Sequence, residues 1–224
     1  MRSRVFLALG LLFFFIPLIA DYHSGNIAAN ESWLASSNPH YITADLSVNN
    51  NVTLSIGAGC NVYVYDGVAI TVNGQMNCLG AAAEPVLISS VHHNTTAAPG
   101  DWKGIYISYP DDMCTFNYTS ILYGGSDGYL VKLYGSGANT SFSHCTLGYS
   151  SSTALLCNSS GEAPGMSNCN LSNNGDYPVK VGARHVSDVM DDNSFNGNTV
   201  QAVYVYGDTY IDGVWPGFNG ENHI

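Results

Sequence analysis

Four segments in the second half of the chain repeat at a fixed interval of 24 residues: LVKLYG from Leu130, ALLCNS from Ala154, PVKVGA from Pro178 and AVYVYG from Ala202. Val131, Leu155, Val179 and Val203 form one column of this alignment, and Leu133, Cys157, Val181 and Val205 form a second. Between and after them fall Lys132, Leu156, Lys180 and Tyr204, then Tyr134, Asn158, Gly182 and Tyr206. Apolar and mostly polar positions alternate, which is the period of a strand with one buried face. A second column lies upstream at Ile121, Leu147, Leu171 and Phe195, with Thr119, Cys145, Cys169 and Asn193 two residues earlier. A chain that returns to the same columns at fixed length lays each coil on the one before, at the spacing of paired strands, about 4.8 Å.

The first half shows shorter intervals. Val52, Ile70 and Ile88 lie 18 apart, as do Leu54 and Val72, Cys60 and Cys78, and Val68 and Val86. These spacings predict a shorter coil there, so the rungs are expected to run from about 18 to 24 residues. Gly, Ser and Asn crowd the stretches between columns and suit tight turns. No segment beyond the leader carries a 3.6-residue apolar period, so an α/β fold with crossover helices is not expected. The class is all-β, a solenoid of parallel strands.

Residues 1–20 have another origin. Arg2 and Arg4 precede an apolar run from Val5 to Ile19, and Ala20 follows. This is the layout of a secretory signal peptide, and the run is short for a membrane span of about 20 apolar residues. The expected organisation is a signal peptide at 1–20, a linker or cap at 21–32 and a β-helix at 33–213. Residues 214–224 are expected to start a second module. That last boundary rests on Trp215 and Ile224, which repeat the nine-residue spacing of Trp33 and Ile42.

Beyond the leader, the cations are Lys103, Lys132, Lys180 and Arg184, against 17 acidic residues in the whole chain. Such a balance opposes binding to nucleic-acid backbones, which takes clustered Lys and Arg, and disfavours docking on anionic lipid. No membrane insertion is expected once the leader is cleaved.

Within this frame the chain resembles secreted right-handed parallel β-helix repeat proteins with a pectin-lyase-like fold, of the large bacterial surface-protein kind. The residues that carry the resemblance are LSVNNNVTLSIGAG at Leu46–Gly59, the GAAAEPVLI run at Gly80–Ile88, and GDWKGI at Gly100–Ile105. It spans roughly Trp33 to Tyr206. It implies a right-handed parallel β-helix and leaves the activity open.

Candidate sites follow. Galacturonan hydrolases on such a fold need two carboxylates across the scissile bond, and Asp111-Asp112 and Asp191-Asp192 are adjacent acidic pairs. The Gly-His-Gly and Arg-Ile-Lys elements that the hydrolase resemblance requires do not occur. A lyase needs a basic residue, and Arg184 falls at a turn. Solvated turn residues account for these groups more simply, so no catalytic residue is assigned. His92-His93 is a weak metal signal, because adjacent strand residues point to opposite faces. No metal site and no cofactor are expected.

Cys145 with Cys169, and Cys60 with Cys78, share columns and are open to either a disulfide or stacked thiols. Cys157 reads as a core thiol. Seven Asn-x-Ser/Thr sequons begin at Asn30, Asn51, Asn94, Asn117, Asn139, Asn158 and Asn170, at a frequency that chance explains in so Asn-rich a chain. The surface feature that stands out is the outward strip Lys132, Tyr134, Asn158, Lys180, Tyr204 and Tyr206. Aromatic rings and flanking polar groups suit a polysaccharide or cell-surface glycan, although strand propensity alone also favours tyrosines there.

The functional expectation is a non-catalytic secreted or cell-surface module for adhesion or glycan contact, within a longer protein. A polysaccharide lyase or glycoside hydrolase on the same fold is the alternative. If residues 214–224 open a second module, the rung ending near Tyr206 presents an unpaired edge, and exposed edges template association. The chain ended at Ile224 is then expected to self-associate, whereas one extended by a full module stays monomeric, as light scattering on both checks.

Overall fold

The structure is a computed structural model and describes residues 20–108, 110, 112–135, 139–157, 163–190 and 192–207. Among the described residues nineteen strands, numbered in chain order, stack as three walls of a parallel β-solenoid. The architecture is consistent with a pectin-lyase-like fold.

The first wall is a six-stranded sheet of β2 (Glu31–Trp33), β4 (Thr53–Gly57), β7 (Gln75–Leu79), β10 (Cys114–Asn117), β13 (Thr140–Ser143) and β16 (Gly165–Ser167). The second contains β5 (Asn61–Val64), β8 (Val86–Ser90), β11 (Thr119–Leu122), β14 (Thr146–Gly148) and β17 (Asn170–Ser172). The third contains β6 (Ala69–Val72), β9 (Gly104–Ser108), β12 (Tyr129–Tyr134), β15 (Thr153–Cys157), β18 (Val179–Gly182) and β19 (Tyr204–Tyr206). The long strand β3 (His40–Val48) joins the second and third walls, because its first half pairs with β5 and its second half with β6. Strand β1 (Asp21–Ile27) pairs with the whole of β3. The segment expected to be a linker or cap therefore contains the end layer of the stack.

The 24-residue columns are the pairing register. Val131 pairs with Leu155 and Leu133 with Cys157, Leu155 with Val179, and Val181 with Val205. In the second wall Ile121 pairs with Leu147 and Leu147 with Leu171. The inward members from Val131 to Val181 are buried, and Val203 and Val205 pack on the core's end.

The 18-residue intervals are not a register. Ile70 pairs with Leu46 and Ile105, Ile88 with Val62 and Ile121, and Leu54 with Met76. Ile70 and Ile88 sit in different walls, as do Leu54 and Val72. All three walls alternate apolar and polar residues, so a step of 18 aligns one wall with the next rung's neighbouring wall. The first-half rungs are of ordinary length, and one is lengthened by the loop between β8 and β9.

Corners turn on left-handed residues. Tyr118, His144, Asn168 and Asp192 have φ of 42°, 55°, 54° and 54° at the corner between first and second walls. Tyr123, Tyr149, Asn173 and Gly197 occupy the next corner with φ of 65°, 53°, 59° and 72°. Each non-glycine member costs about 1–2 kcal/mol, and in exchange one residue redirects the chain. Inside the second corner a buried ladder supplies the missing partners. Ser150 N donates to Asn174 Oδ1 at 3.0 Å, Asn174 N to Asn198 Oδ1 at 3.1 Å, and the amide nitrogens of Asn174 and Asn198 donate to Leu147 O and Leu171 O at 3.3 and 2.9 Å.

The GDWKGI run folds the inserted loop onto the stack. Trp102 is fully buried and its ring N–H donates to Leu122 O at 2.9 Å. Gly104 has φ +141°, and a Cβ there would meet Tyr129 O at 2.6 Å. At the far end a short helix α1 (Val186–Met190), which the sequence reading did not anticipate, packs on β16 where the first wall's next strand would lie. Val186 and Val189 are its buried contacts.

All six cysteines are free and buried. Cys145 and Cys169 are neighbouring free thiols, and their Sγ atoms donate to Phe116 O at 3.2 Å and Ser167 O at 3.4 Å, while Cys60 lies at a corner and Cys78 in β7, so those two do not share a column. Burial pushes the Cys157 thiol up to about 12, as expected of a core residue. Residues 214–224 lie outside the described residues. Asn174→Ala is expected to cost about 2–4 kcal/mol by orphaning buried donors and acceptors; Asn30→Ala, at an exposed capping bond to Thr53 N, should cost under about 1 kcal/mol. Urea midpoints of the two variants check this.

Candidate functional site

Outward positions of the third wall form a continuous row. Tyr106 pairs with Lys132, Lys132 with Leu156, Leu156 with Lys180 and Lys180 with Tyr204. Strand alternation places them outside because their neighbours fill the core. Tyr129, the first residue of β12, and Tyr177, in the turn that enters β18, flank the row.

The lysines are held over tyrosine faces. Lys132 Nζ lies 4.7 Å from the Tyr129 ring centroid and 5.3 Å from that of Tyr134, and donates to Tyr129 Oη at 3.1 Å. Lys180 Nζ lies 5.1 Å from Tyr177 and 5.8 Å from Tyr204. Such contacts restrain a long flexible side chain while leaving its charge at the surface. Lys180 also pairs with Asp176 at 2.7 Å. Burial raises the Asp176 carboxyl, but the Lys180 ammonium and the Thr153 hydroxyl outweigh it and hold the group below 3.8. Tyr106 Oη donates to Asp127 at 2.8 Å, and burial together with that carboxylate pushes its phenol up, so it stays protonated.

Of the residues expected in the strip, Lys132, Tyr134, Lys180 and Tyr204 are brought together. Tyr134 and Tyr204 are each 45% exposed. Tyr206 adjoins them, pairing with Gly182 beside the Lys180–Tyr204 pair with its ring 6.2 Å from that of Tyr204; it is half-buried, and burial and the nearby Cys157 push its phenol up. Asn158 lies outside the described residues. Tyr106, Tyr129 and Tyr177 were missed, since Tyr129 and Tyr177 stand one residue before the repeated six-residue segments and Tyr106 lies in β9, outside them.

A second aromatic line crosses the second wall and its corner. Ring centroids of Tyr22 and Tyr41 are 5.3 Å apart, Tyr41 and Tyr63 5.8 Å, Tyr63 and His93 6.2 Å, His93 and Tyr123 6.0 Å, and Tyr123 and Tyr149 5.0 Å. Most are stacked or tilted, so ring faces are covered by one another and edges point out. In the third wall Tyr106–Tyr129 and Tyr177–Tyr204 meet nearly edge to face, at 85° and 71°.

The histidine pair of the inserted loop does not converge. His92 meets Asp66 at 3.1 Å, and His93 Nδ1 meets Ser89 Oγ at 2.8 Å. Asp112 accepts from Met113 N; its neighbour Asp111, like Asp191, lies outside the described residues. Asp192 is a left-handed corner residue, and Arg184, expected at a turn, is exposed within the short 3-10 helix Ala183–His185 that leads into α1.

A different group lies at the N-terminal layer. Asp21, His23 and His40 place one ligand atom each within 4.8 Å of one another. His23 Nε2 is 3.1 Å from His40 Nδ1, and the His23 ring stacks on Trp33 at 3.9 Å. Burial, and then the His40 ring, lower the His23 pKa against the raising influence of Asp21 and Glu31. No repeat links these residues, which is why spacing did not reveal them.

Comparison with family models, curated proteins and solved structures finds no match. Among the described residues no helix is long and apolar enough to cross a membrane.

Replacing Lys180 by Met should raise the Asp176 pKa, because burial is then opposed only by the Thr153 hydroxyl and the Tyr177 backbone N–H. The sign follows from a native pKa below the unfolded one: the pair's stabilisation, about 1 kcal/mol or less at a partly exposed site, is present above the unfolded value and lost as pH falls through the native one. Carboxyl-carbon NMR titration of native and variant chains, with acid unfolding alongside, checks both parts.

Proposed function

We propose that this chain is a non-catalytic β-solenoid module, secreted or displayed at a cell surface as in the bacterial proteins it resembles, that acts in adhesion by contacting glycans along its third wall. The observation that carries the reading is the in-register row Tyr106–Lys132–Leu156–Lys180–Tyr204 with its flanking tyrosines. A flat wall with ring faces turned several ways, hydroxyls between them and ammonium groups held in place matches what sugars offer: C–H faces for stacking and hydroxyls for hydrogen bonds. Two of the four cations beyond the leader sit in this row of an otherwise acidic chain, and Lys132, held between two tyrosine rings, offers an acidic sugar a positive partner. The leader-like segment at 1–20, directly before the first strand, supports export.

Affinity electrophoresis and calorimetry against neutral and uronate-bearing polysaccharides test the proposal. One or more should bind, and the double variant Tyr134→Ala, Tyr204→Ala should weaken binding by about tenfold or more, at roughly 1 kcal/mol per lost aromatic contact, with unchanged circular dichroism. Release of unsaturated uronates or reducing ends would favour the enzyme alternative, and binding indifferent to both tyrosines would overturn the site.

A further inference from the structure

The geometry points to a binding site for a divalent transition-metal ion of the zinc class, formed by Asp21, His23 and His40 where β1 joins the stack. Asp21 and His23 are two apart on β1 and so share a face, and Asp21 is paired directly with His40 of β3. The pairing of the two strands is what assembles the site.

Three features fit this ligand. His40 is buried, and its Nε2 lies 3.0 Å from Leu34 O. A carbonyl only accepts, so Nε2 carries the proton and Nδ1 presents a bare lone pair. A histidine that anchors one ring nitrogen on a backbone carbonyl and offers the other is the arrangement that orients a metal ligand. The lone pair faces His23 Nε2 at 3.1 Å, close to the separation of about 3.3 Å between two nitrogens bound to one tetrahedral ion at about 2.0–2.1 Å. Finally, Trp33 stacks on both rings, with centroids 3.9 Å from His23 and 5.4 Å from His40 and interplanar angles of 21° and 10°. That sandwich fixes the rings before an ion arrives, which cuts the ordering cost of binding.

Two imidazoles and one carboxylate select a borderline ion such as Zn²⁺ over Mg²⁺ or Ca²⁺, which take oxygen ligands. Asp21 is exposed and His23 half-exposed, so water completes the coordination. The ion would lock the end strand onto the next layer. The site is independent of the tyrosine wall and stands or falls separately from the glycan reading.

The test uses the full chain without a polyhistidine tag, with Zn²⁺ by calorimetry and Co²⁺ by visible absorption. The expected result is one ion per chain with a dissociation constant on the order of micromolar or tighter, a higher melting temperature with Zn²⁺, and no comparable binding of Mg²⁺. His23→Ala should weaken binding by about 100-fold and Asp21→Asn by about tenfold, while His92→Ala binds as the native chain does. Circular dichroism shows that each variant folds, and if His23→Ala does not, Asp21→Asn with the His92→Ala control carries the test. No binding at about 100 μM ion, or full affinity in the folded His23 or Asp21 variant, overturns the site.

Discussion

Each named strand in this fold finds its hydrogen-bond partners a full coil away and none within its own coil. Backbone N–H and C=O groups buried without partners are costly, so a rung acquires structure only when its neighbours exist. Inward side chains obey the same condition, since each wall's apolar face closes on the other two. Stability is then close to a sum of rung and neighbour terms, and the ends are where it is weakest. Two local devices act there. Strand β1 covers the first full layer, and α1 lies against β16 with Val186 and Val189 turned inward.

Stacking also governs the corners. A left-handed residue is tolerable when it recurs in register, because the next rung's identical bend receives the same hydrogen bonds. The columns at Tyr118, His144, Asn168 and Asp192, and at Tyr123, Tyr149, Asn173 and Gly197, show this. Aromatics at these corners offset backbone strain by packing on each other: Tyr118 stacks on His144 at 4.4 Å and Tyr123 on Tyr149 at 5.0 Å. The Asn174–Asn198 ladder does the same with hydrogen bonds, each amide serving its own corner and the one above.

These constraints explain what was legible in the sequence. The second half repeats every 24 residues because its corners are short and alike, so Val131, Leu155 and Val179 align without gaps. In the first half the loop between Ser90 and Gly104 separates Ile70 from its partner Ile105 by 35 residues, and no fixed interval survives it. The apparent 18-residue interval arose because alternation reports burial and is blind to which wall is buried. The tyrosine row was half legible: Lys132, Lys180 and Tyr204 repeat within the six-residue segments, whereas Tyr129 and Tyr177 keep the same 24-residue period through Thr153 but stand one residue before those segments. His23 and His40 had no signal at all. They meet because β1 runs parallel to β3, and a single pairing leaves no repeat to read.

Surface chemistry in a solenoid is therefore of two kinds. Outward positions within the repeat become rows, spaced by the rungs and extended along the axis, and a row suits a partner that is itself extended and repetitive. Positions outside the repeat, at an end layer, become single points where side chains from two strands converge. Lys132 and Lys180 belong to the first kind; each is steadied by two rings, and such a contact is weak alone but is repeated from rung to rung. Asp21, His23 and His40 belong to the second, where one buried imidazole, one carbonyl anchor and one indole face fix a geometry that no other rung can copy. Substituting along a row should change avidity in steps, whereas substituting at the point should act all at once. The rung-on-rung pairing that makes the fold thus also separates the two candidate surfaces physically.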